Sequence, residues 1–162
     1  MKDVLRRQDE CINPFIKNTP YNYNRIDMKK VLTVGVYDML HIGHIELFRK
    51  AKALGDYLIV AVQDSEVVEA FKPNAHLIYS TEERCFMVSA LRYVDEVVVY
   101  RNVKDIVREV DFDIFAKGPD QRHSGFQEAF AWCEANGKQV VTVPRTEGIS
   151  SSELKKWVKG LS

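Results

Sequence analysis

Two histidines, His41 and His44, lie three residues apart at the point where an apolar run gives way to a helix-like segment. Residues three apart share one face of a helix, so both imidazoles are predicted to project from its first turn. A helix start carries unpaired N–H groups and a partial positive charge, which favour a bound anion. Gly43, between the histidines, would let that anion approach the backbone closely. Together these features predict a site for a nucleoside triphosphate.

A second anion site is predicted near the C-terminus. Arg145 comes five residues before Ser150, and the spacing of Ser150 from Glu153 is typical of a helix start. Gly148 lies between Arg145 and Ser150, where it would permit a close approach. Guanidinium, hydroxyl and backbone N–H donors would converge there with the positive end of a helix. Such a cradle suits the β- and γ-phosphates of a triphosphate.

Apolar runs typical of buried strands alternate along the chain with segments of helical periodicity. The predicted strands cover residues 31–36, 57–63, 94–100, 112–117 and 139–143. The predicted helices cover 42–54, ended by Gly55, and then 80–91, 103–110, 125–136 and 150–158. Residues 64–79 are predicted to form a long irregular loop, from which Lys72 would close on bound phosphates.

This alternation predicts an α/β fold, a Rossmann-like doubly wound parallel five-stranded sheet with helices on both faces. Ligands of such sheets bind beyond the carboxyl ends of the strands, at the point where the strand order reverses. Both predicted anion sites and Lys72 follow the ends of predicted strands. The fold therefore predicts that they lie close together.

Length and charge limit the class of protein. The 162 residues are enough for one domain, expected over residues 29–162, with an N-terminal extension over residues 1–28. The 23 basic and 23 acidic side chains cancel, whereas nucleic-acid-binding domains are more often basic, so no nucleic-acid partner is expected. No apolar run suits a membrane span, and the polar first residues do not resemble a signal peptide. Three widely spaced cysteines form no zinc or disulfide pattern, which favours the cytoplasm.

Three ordered motifs stand at residues 35–44 (GVYDMLHIGH), 92–97 (RYVDEV) and 145–151 (RTEGISS). They resemble the G-T-F-D-x-L-H-x-G-H, R-Y-V-D-E-V and R-T-E-G-I-S-T motifs of the cytidylyltransferases, and the resemblance covers about residues 29–160. Val36 departs from the first motif, because it replaces a threonine or serine and so removes a hydroxyl.

The resemblance implies an enzyme, a nucleotidyltransferase that moves CMP from CTP to a small phosphorylated alcohol. It is strongest to the bacterial members that act on glycerol 3-phosphate, which would give CDP-glycerol and pyrophosphate. It further implies a homodimer, and Mg²⁺ bound through the triphosphate.

Carried over residue by residue, the resemblance implies catalytic roles for His41, His44, Lys72 and Arg145. Arg84 and Lys72 are expected to bind the acceptor. The expected nucleotide-binding residues are Gly35, Val36, Tyr37, Asp38, Gly43, Arg92, Gly118, Asp120, Thr146, Gly148, Ile149, Ser150 and Ser151. Asp38, His41 and His44 also have the types of a two-histidine, one-carboxylate metal site, but the glycine and helix-start context favours phosphate, so no protein metal site is expected.

Other functions stay open. Residues 117–121, KGPDQ, are closer to the K-G-x-D segment of heptose-phosphate adenylyltransferases and archaeal FAD synthetases, so an adenylyltransferase acting on a sugar phosphate or FMN is an alternative. A non-catalytic nucleotide-binding regulatory domain is another, although both histidines and Arg145 argue against it. The H-I-G-H string also occurs in class I aminoacyl-tRNA synthetases, but this chain is too short for their anticodon-binding part and has no K-M-S-K-S segment.

Overall fold

The computed structural model describes residues 28–71 and 76–161, so most of the predicted N-terminal extension and Lys72 lie outside the described residues. The strands are β1 (Lys30–Gly35), β2 (Tyr57–Gln63), β3 (Glu96–Tyr100), β4 (Ile114–Lys117) and β5 (Gln139–Thr142). The helices are α1 (Ile42–Lys52), α2 (Ser65–Phe71), α3 (Thr81–Ser89), α4 (Val103–Glu109), α5 (Ser124–Ala135) and α6 (Ser151–Gly160).

The five strands form one sheet in the order β3-β2-β1-β4-β5, and every neighbouring pair is parallel. Buried apolar side chains cover both faces of this sheet. Phe48, Ala51, Cys85 and Val88 of α1 and α3 pack on one face. Ile106, Val107, Phe126, Ala129, Phe130 and Cys133 of α4 and α5 pack on the other. The predicted doubly wound fold is confirmed.

Two strands begin later than predicted. Val94 is 6 % exposed and Phe112 is fully buried, yet each precedes its strand by two residues. Their apolar character reflects packing against the helices, and burial in a loop cannot be told from burial in a strand by sequence alone.

The stretch 64–79 contains helix α2, which the sequence analysis missed by treating the whole stretch as a loop. The Asp64 carboxylate accepts a hydrogen bond from the Glu66 N–H at 2.9 Å and so stabilises the helix start, and only Val68 of the helix is buried. A seven-residue helix with one buried side chain gives too little periodicity to be recognised.

Gly55 was predicted to end α1, but that helix ends at Lys52 with Ala53 as its cap. A side chain at Gly55 would lie 2.5 Å from the Lys29 carbonyl oxygen. Gly55 is therefore required by the close approach of the loop to the start of β1.

The chain passes from the edge strand β3 to β4 on the far side of β1, so the strand order reverses between β1 and β4. Loops from β1, β4 and β5 meet at this reversal, at the carboxyl ends of the strands. Among the described helices, none is long and apolar enough to cross a membrane.

The start of α3 gives a stability prediction. The Ser80 hydroxyl accepts a hydrogen bond from the Glu83 N–H at 3.2 Å, and the Glu83 carboxylate accepts one from the Ser80 N–H at 2.8 Å. Ser80→Ala should lower the free energy of unfolding by about 1 kcal/mol, measured by urea denaturation. Ser152→Ala, at an exposed position of α6, is the matched control and should change it by less than about 0.5 kcal/mol.

Candidate active site

The turn between β1 and α1 has a strained backbone. Tyr37 and Met39 have positive φ values of 57° and 51°, which residues other than glycine rarely adopt. A side chain at Gly35 would lie 2.7 Å from the Tyr37 ring, so the glycine makes room for that ring. Tyr37 is 4 % exposed. A triphosphate could therefore reach the Tyr37 backbone but not its ring.

His41 is the N-cap of α1, and its Nδ1 accepts a hydrogen bond from the Gly43 N–H at 3.1 Å. Because Nδ1 is the acceptor, the neutral ring carries its proton on Nε2, which can donate to an anion. A side chain at Gly43 would lie 2.8 Å from the His41 ring and 3.3 Å from Ile149. Gly43 was predicted to let an anion approach the backbone. In the structure it also makes room for the side chains of His41 and Ile149.

His44 lies directly beneath His41. The two rings stack with centroids 3.9 Å apart, and the edge of the Tyr37 ring contacts His44 with centroids 5.4 Å apart. Burial lowers the pKa of His44 to about 4, and the charges of His41 and Arg145 act in the same direction. Burial and then Arg145 also lower the pKa of His41. His44 is therefore neutral at pH 7, and the two histidines form a stacked pair.

Arg145 joins the loops that follow β4 and β5. Its guanidinium lies 3.5 Å from the Asp120 carboxylate, and both side chains are more than half exposed. An exposed pair of this kind contributes little to stability. Asp120 is thus the observed partner of Arg145, and the guanidinium remains open to solvent and to a ligand. Its positive charge lowers the pKa of both histidines, so the guanidinium lies close enough to act on them.

The start of α6 lies at the same end of the sheet. The Ser150 hydroxyl accepts from the Glu153 N–H at 3.2 Å and lies 3.1 Å from the Glu153 carboxylate. The Ser151 hydroxyl donates to the Asp38 carbonyl at 2.7 Å. Both hydroxyls are therefore engaged within the protein, and the free N–H groups of the first turn and the helix dipole remain for an anion.

Asp38 connects three parts of the site. Its carboxylate, 4 % exposed, accepts hydrogen bonds from the N–H groups of Ile78 and Tyr79 at 3.1–3.2 Å and from the Lys155 ammonium at 2.6 Å. Burial acts to raise the pKa of Asp38, but these hydrogen bonds outweigh burial and lower it. Asp38 was predicted to bind nucleotide, and the structure instead engages its carboxylate with protein donors.

Lys155 was missed by the sequence analysis. It lies four residues after Ser151, so the two side chains share one face of α6 and both bind Asp38. The i, i+4 spacing from the motif serine was the available signal. It was weak, because lysines on exposed helix faces are common.

Arg84 differs from its prediction as an acceptor ligand. It is fully buried, and all five of its N–H groups donate within the protein. Its acceptors are the carbonyls of Val36, Gln63 and Tyr79 and the hydroxyls of Ser65 and Thr81. Arg84 therefore ties the ends of β1 and β2 to α2 and α3, and no N–H remains for an acceptor.

Arg92 also lies apart from the other predicted residues. It is exposed and precedes β3, at the amino ends of the strands, whereas the histidines follow the carboxyl end of β1. The length of β3, roughly 16 Å, separates these two edges. The single chain does not bring Arg92 to the site.

The loop after β4 is held by Gln121. Its side chain accepts from the Gly118 N–H at 3.1 Å and donates to the Val34 carbonyl at 2.9 Å, which fixes the loop to β1. A side chain at Gly118 would lie 2.9 Å from the Asp120 carboxylate. Thr146 is half-buried, and Gly148 has a φ of 77°. Gly118, Asp120, Thr146, Gly148 and Ile149 thus line loops at the carboxyl ends of β4 and β5.

A cavity of about 680 Å³ opens beside the predicted triphosphate site. It begins at Gly35 and Val36 and extends over the ends of β2 and β3 toward the starts of α4 and α5. Val68, Val103 and Phe126 supply apolar walls. The cavity adjoins the backbone that leads to His41, so it can hold a second substrate next to the first.

Within residues 28–71 and 76–161, no group of three or more histidine, cysteine, aspartate or glutamate side chains is placed to hold a metal ion.

These features match a known family. The family model described as cytidylyltransferase-like matches residues 32–157. The chain belongs to the cytidylyltransferase-like family. This confirms the resemblance drawn from the three motifs, and with it the prediction of a nucleotidyltransferase enzyme.

Relatives of this cytidylyltransferase-like chain are named for more than one activity. The glycerol-3-phosphate cytidylyltransferase of Bacillus subtilis is 39 % identical over 137 residues, which cover 83 % of this chain and all of that protein. The FAD synthase of Thermococcus kodakarensis is 41 % identical over 95 residues, 57 % of this chain and 63 % of that protein. A solved structure, the lipopolysaccharide core biosynthesis protein of Thermoplasma volcanium, superposes with a TM-score of 0.61 at 30 % identity, over 74 % of this chain and 97 % of that one.

The histidine pair gives a titration prediction. In an NMR titration of the imidazole C–H signals, His44 should titrate near pH 4. Arg145→Gln should raise the pKa of both histidines, because it removes a nearby positive charge. An unfolded histidine titrates near 6.5, so the unfolded state binds the extra proton first. The His44 contribution should lower stability as the pH falls from about 6.5 to 4. A His44 midpoint at or above 6.5 would contradict the arrangement.

Proposed function

We propose that the chain transfers CMP from CTP to glycerol 3-phosphate, giving CDP-glycerol and pyrophosphate. The observation that carries this proposal is the stacked pair of His41 and His44 at the start of α1, close enough to Arg145 for its charge to lower the pKa of both. The similarity to the B. subtilis enzyme over that enzyme's full length supports the acceptor and the base.

In the proposed reaction a phosphate oxygen of the acceptor attacks the α-phosphorus of CTP. A new phosphorus–oxygen bond forms, the bond from the α-phosphorus to the bridging oxygen breaks, and pyrophosphate leaves with that electron pair. The protein forms no covalent bond to substrate, so positioning and charge stabilisation supply the catalysis.

The histidines act in this scheme as neutral hydrogen-bond donors. Each neutral ring carries one N–H, and on His41 it is Nε2–H, since Nδ1 accepts from Gly43. A neutral donor can stabilise negative charge on the α-phosphate without releasing a proton in the reaction. Arg145 and the N-terminus of α6 would bind the leaving pyrophosphate, because arginine offers a planar fork of donors and a helix start favours anions.

The cavity that begins at Val36 is the proposed acceptor site. An acceptor phosphate at its mouth would face the α-phosphorus bound near α1, while the alcohol would extend between the apolar walls. Arg84, whose donors are all engaged, would hold the floor of this region in place and supply a buried positive charge beneath it.

Mg²⁺ is the expected metal, held through triphosphate oxygens. The donor set fits this mode of binding, because the carboxylates of Asp38 and Asp120 are engaged by Lys155 and Arg145. When bound, the ion would neutralise charge on the triphosphate.

An adenylyltransferase acting on FMN or a sugar phosphate is the second candidate, since the FAD synthase of T. kodakarensis is among the relatives. A purely regulatory nucleotide-binding domain would need no donor pair at the α-phosphate.

We further propose a homodimer in the cytoplasm. Exposed apolar side chains on α3 and at the end of α6, among them Phe86, Trp157 and Leu161, offer contact surface. Sedimentation as a monomer at micromolar concentration would contradict the homodimer.

The function is tested by measuring pyrophosphate release with CTP or ATP, each against glycerol 3-phosphate, ethanolamine phosphate, a sugar phosphate and FMN. The proposal predicts the highest kcat/KM for CTP with glycerol 3-phosphate. A higher value for ATP with FMN or the sugar phosphate would favour the second candidate. Absence of turnover with every pair would favour the regulatory domain.

The histidine pair gives a kinetic prediction. His41→Ala and His44→Ala should each lower kcat by roughly 100-fold or more, because each removes one donor to the developing negative charge. Glu134→Ala is the control, since Glu134 lies exposed near the end of α5 and outside the cavity. Near-normal kcat in either folded histidine variant would contradict the assignment.

Arg145 gives a binding prediction. Arg145→Lys should weaken CTP binding, because lysine cannot reproduce the two-pronged contact with phosphate oxygens. CMP binding should change much less, since CMP has no β- or γ-phosphate. Calorimetric titration of both nucleotides measures this, and an equal loss of affinity would show that Arg145 does not bind the leaving group.

A further inference from the structure

Tyr100 is the last residue of β3, and it lines the cavity proposed to hold the acceptor. The residue is only 5 % exposed. In the part of the chain that the structure describes, its hydroxyl has no hydrogen-bond partner, whereas most buried hydroxyls have one. A buried hydroxyl that opens into a cavity without a protein partner is suited to pair with a ligand.

Three neighbouring polar side chains in the cavity wall make contacts within the protein. Arg101 pairs with Asp64 and Glu66 at 3.2 and 2.9 Å. Asn102 accepts from the Lys104 N–H at 3.1 Å and so caps α4, and the amide of Gln121 is used at both ends. Of these four side chains, only that of Tyr100 makes no hydrogen bond within the described residues.

The Tyr100 hydroxyl is also fixed in position and in charge. Tyr100 pairs with Gln63 in the sheet, and its carbonyl accepts from the Asp64 N–H at 2.9 Å. Burial raises the pKa of Tyr100, so the hydroxyl stays protonated and neutral throughout the physiological range. A neutral hydroxyl both donates and accepts, which matches an alcohol group better than a phosphate oxygen.

We propose that Tyr100 determines specificity by hydrogen-bonding a hydroxyl group of the acceptor's alcohol portion, an inference that rests on the proposed function. The cavity runs from Val36, where the acceptor phosphate would lie, toward Tyr100. Val103 and Phe126 line this path with apolar surface, so an acceptor without hydroxyl groups would offer Tyr100 no hydrogen-bond partner. Sites built to bind a substrate hydroxyl strongly reject analogues that lack it.

The test compares two acceptors and two proteins. Glycerol 3-phosphate carries two hydroxyl groups, and n-propyl phosphate has the same carbon chain with neither. For each, kcat/KM with CTP is measured in wild type and Tyr100→Phe, and an inhibition constant replaces it where propyl phosphate turns over too slowly. Tyr93→Phe, before β3 at the opposite edge of the sheet, is the matched control.

Tyr100→Phe should lower kcat/KM for glycerol 3-phosphate by roughly tenfold or more, mainly through KM, and leave propyl phosphate nearly unchanged. The KM for CTP should stay the same. The melting temperature should stay nearly unchanged, because the hydroxyl opens into the cavity and the variant breaks no hydrogen bond within the described residues.

Equal effects on both acceptors, no effect on either, or a lower melting temperature than in Tyr93→Phe would overturn the role of Tyr100. If wild type makes CDP-glycerol and any of these results appears, the inference alone fails. If wild type releases no pyrophosphate from CTP with glycerol 3-phosphate, the proposed function fails as well.

Discussion

The site depends on the hydrogen bonds that the buried residue Asp38 accepts. Its carboxylate accepts from the N–H groups of Ile78 and Tyr79 and from Lys155, while the Asp38 carbonyl accepts from Ser151. The helix α6 makes few apolar contacts, since none of its side chains is buried. These polar contacts therefore set where its N-terminus lies relative to the histidines. Asp38 lies between β1 and α1, and its contacts hold the start of α6 there. The starts of α1 and α6 therefore face the same space.

Charge in this region is arranged in layers. Arg84 lies fully buried under the ends of β1 and β2, the neutral histidines lie above β1, and Arg145 lies at the solvent-facing side. Keeping His44 neutral avoids a further positive charge close to His41, and a neutral donor needs no proton transfer to stabilise a phosphate. A triphosphate would thus meet fixed positive charge and preorganised donors, which is the form of catalysis that phosphoryl transfer requires.

The fold followed from local patterns, and local motifs indicated where to look for the site. Apolar runs and capping residues predicted the five-stranded sheet, and H-x-G-H and Arg145 predicted which loops meet. Arg84 and Asp38 show the limit of that reasoning. Their types suit a ligand, but whether the donors of Arg84 and the acceptors of Asp38 are free depends on contacts 19 to 117 residues away along the chain. Lys155 was missed for the same reason, because its partner is distant in sequence. Arg92 shows that a motif match does not fix which edge of the sheet a residue occupies.

The central claim is that the Asp38 contacts assemble a triphosphate site from two helix starts. The most direct measurement is the CTP affinity of Asp38→Asn by calorimetry, with circular dichroism to verify folding. Asparagine can still accept from Ile78 and Tyr79 but loses the charge that holds Lys155. The account predicts that CTP affinity falls by roughly tenfold or more while the fold is kept, since charged hydrogen bonds are worth about 1.5–3 kcal/mol. Unchanged CTP affinity in the folded variant would contradict it.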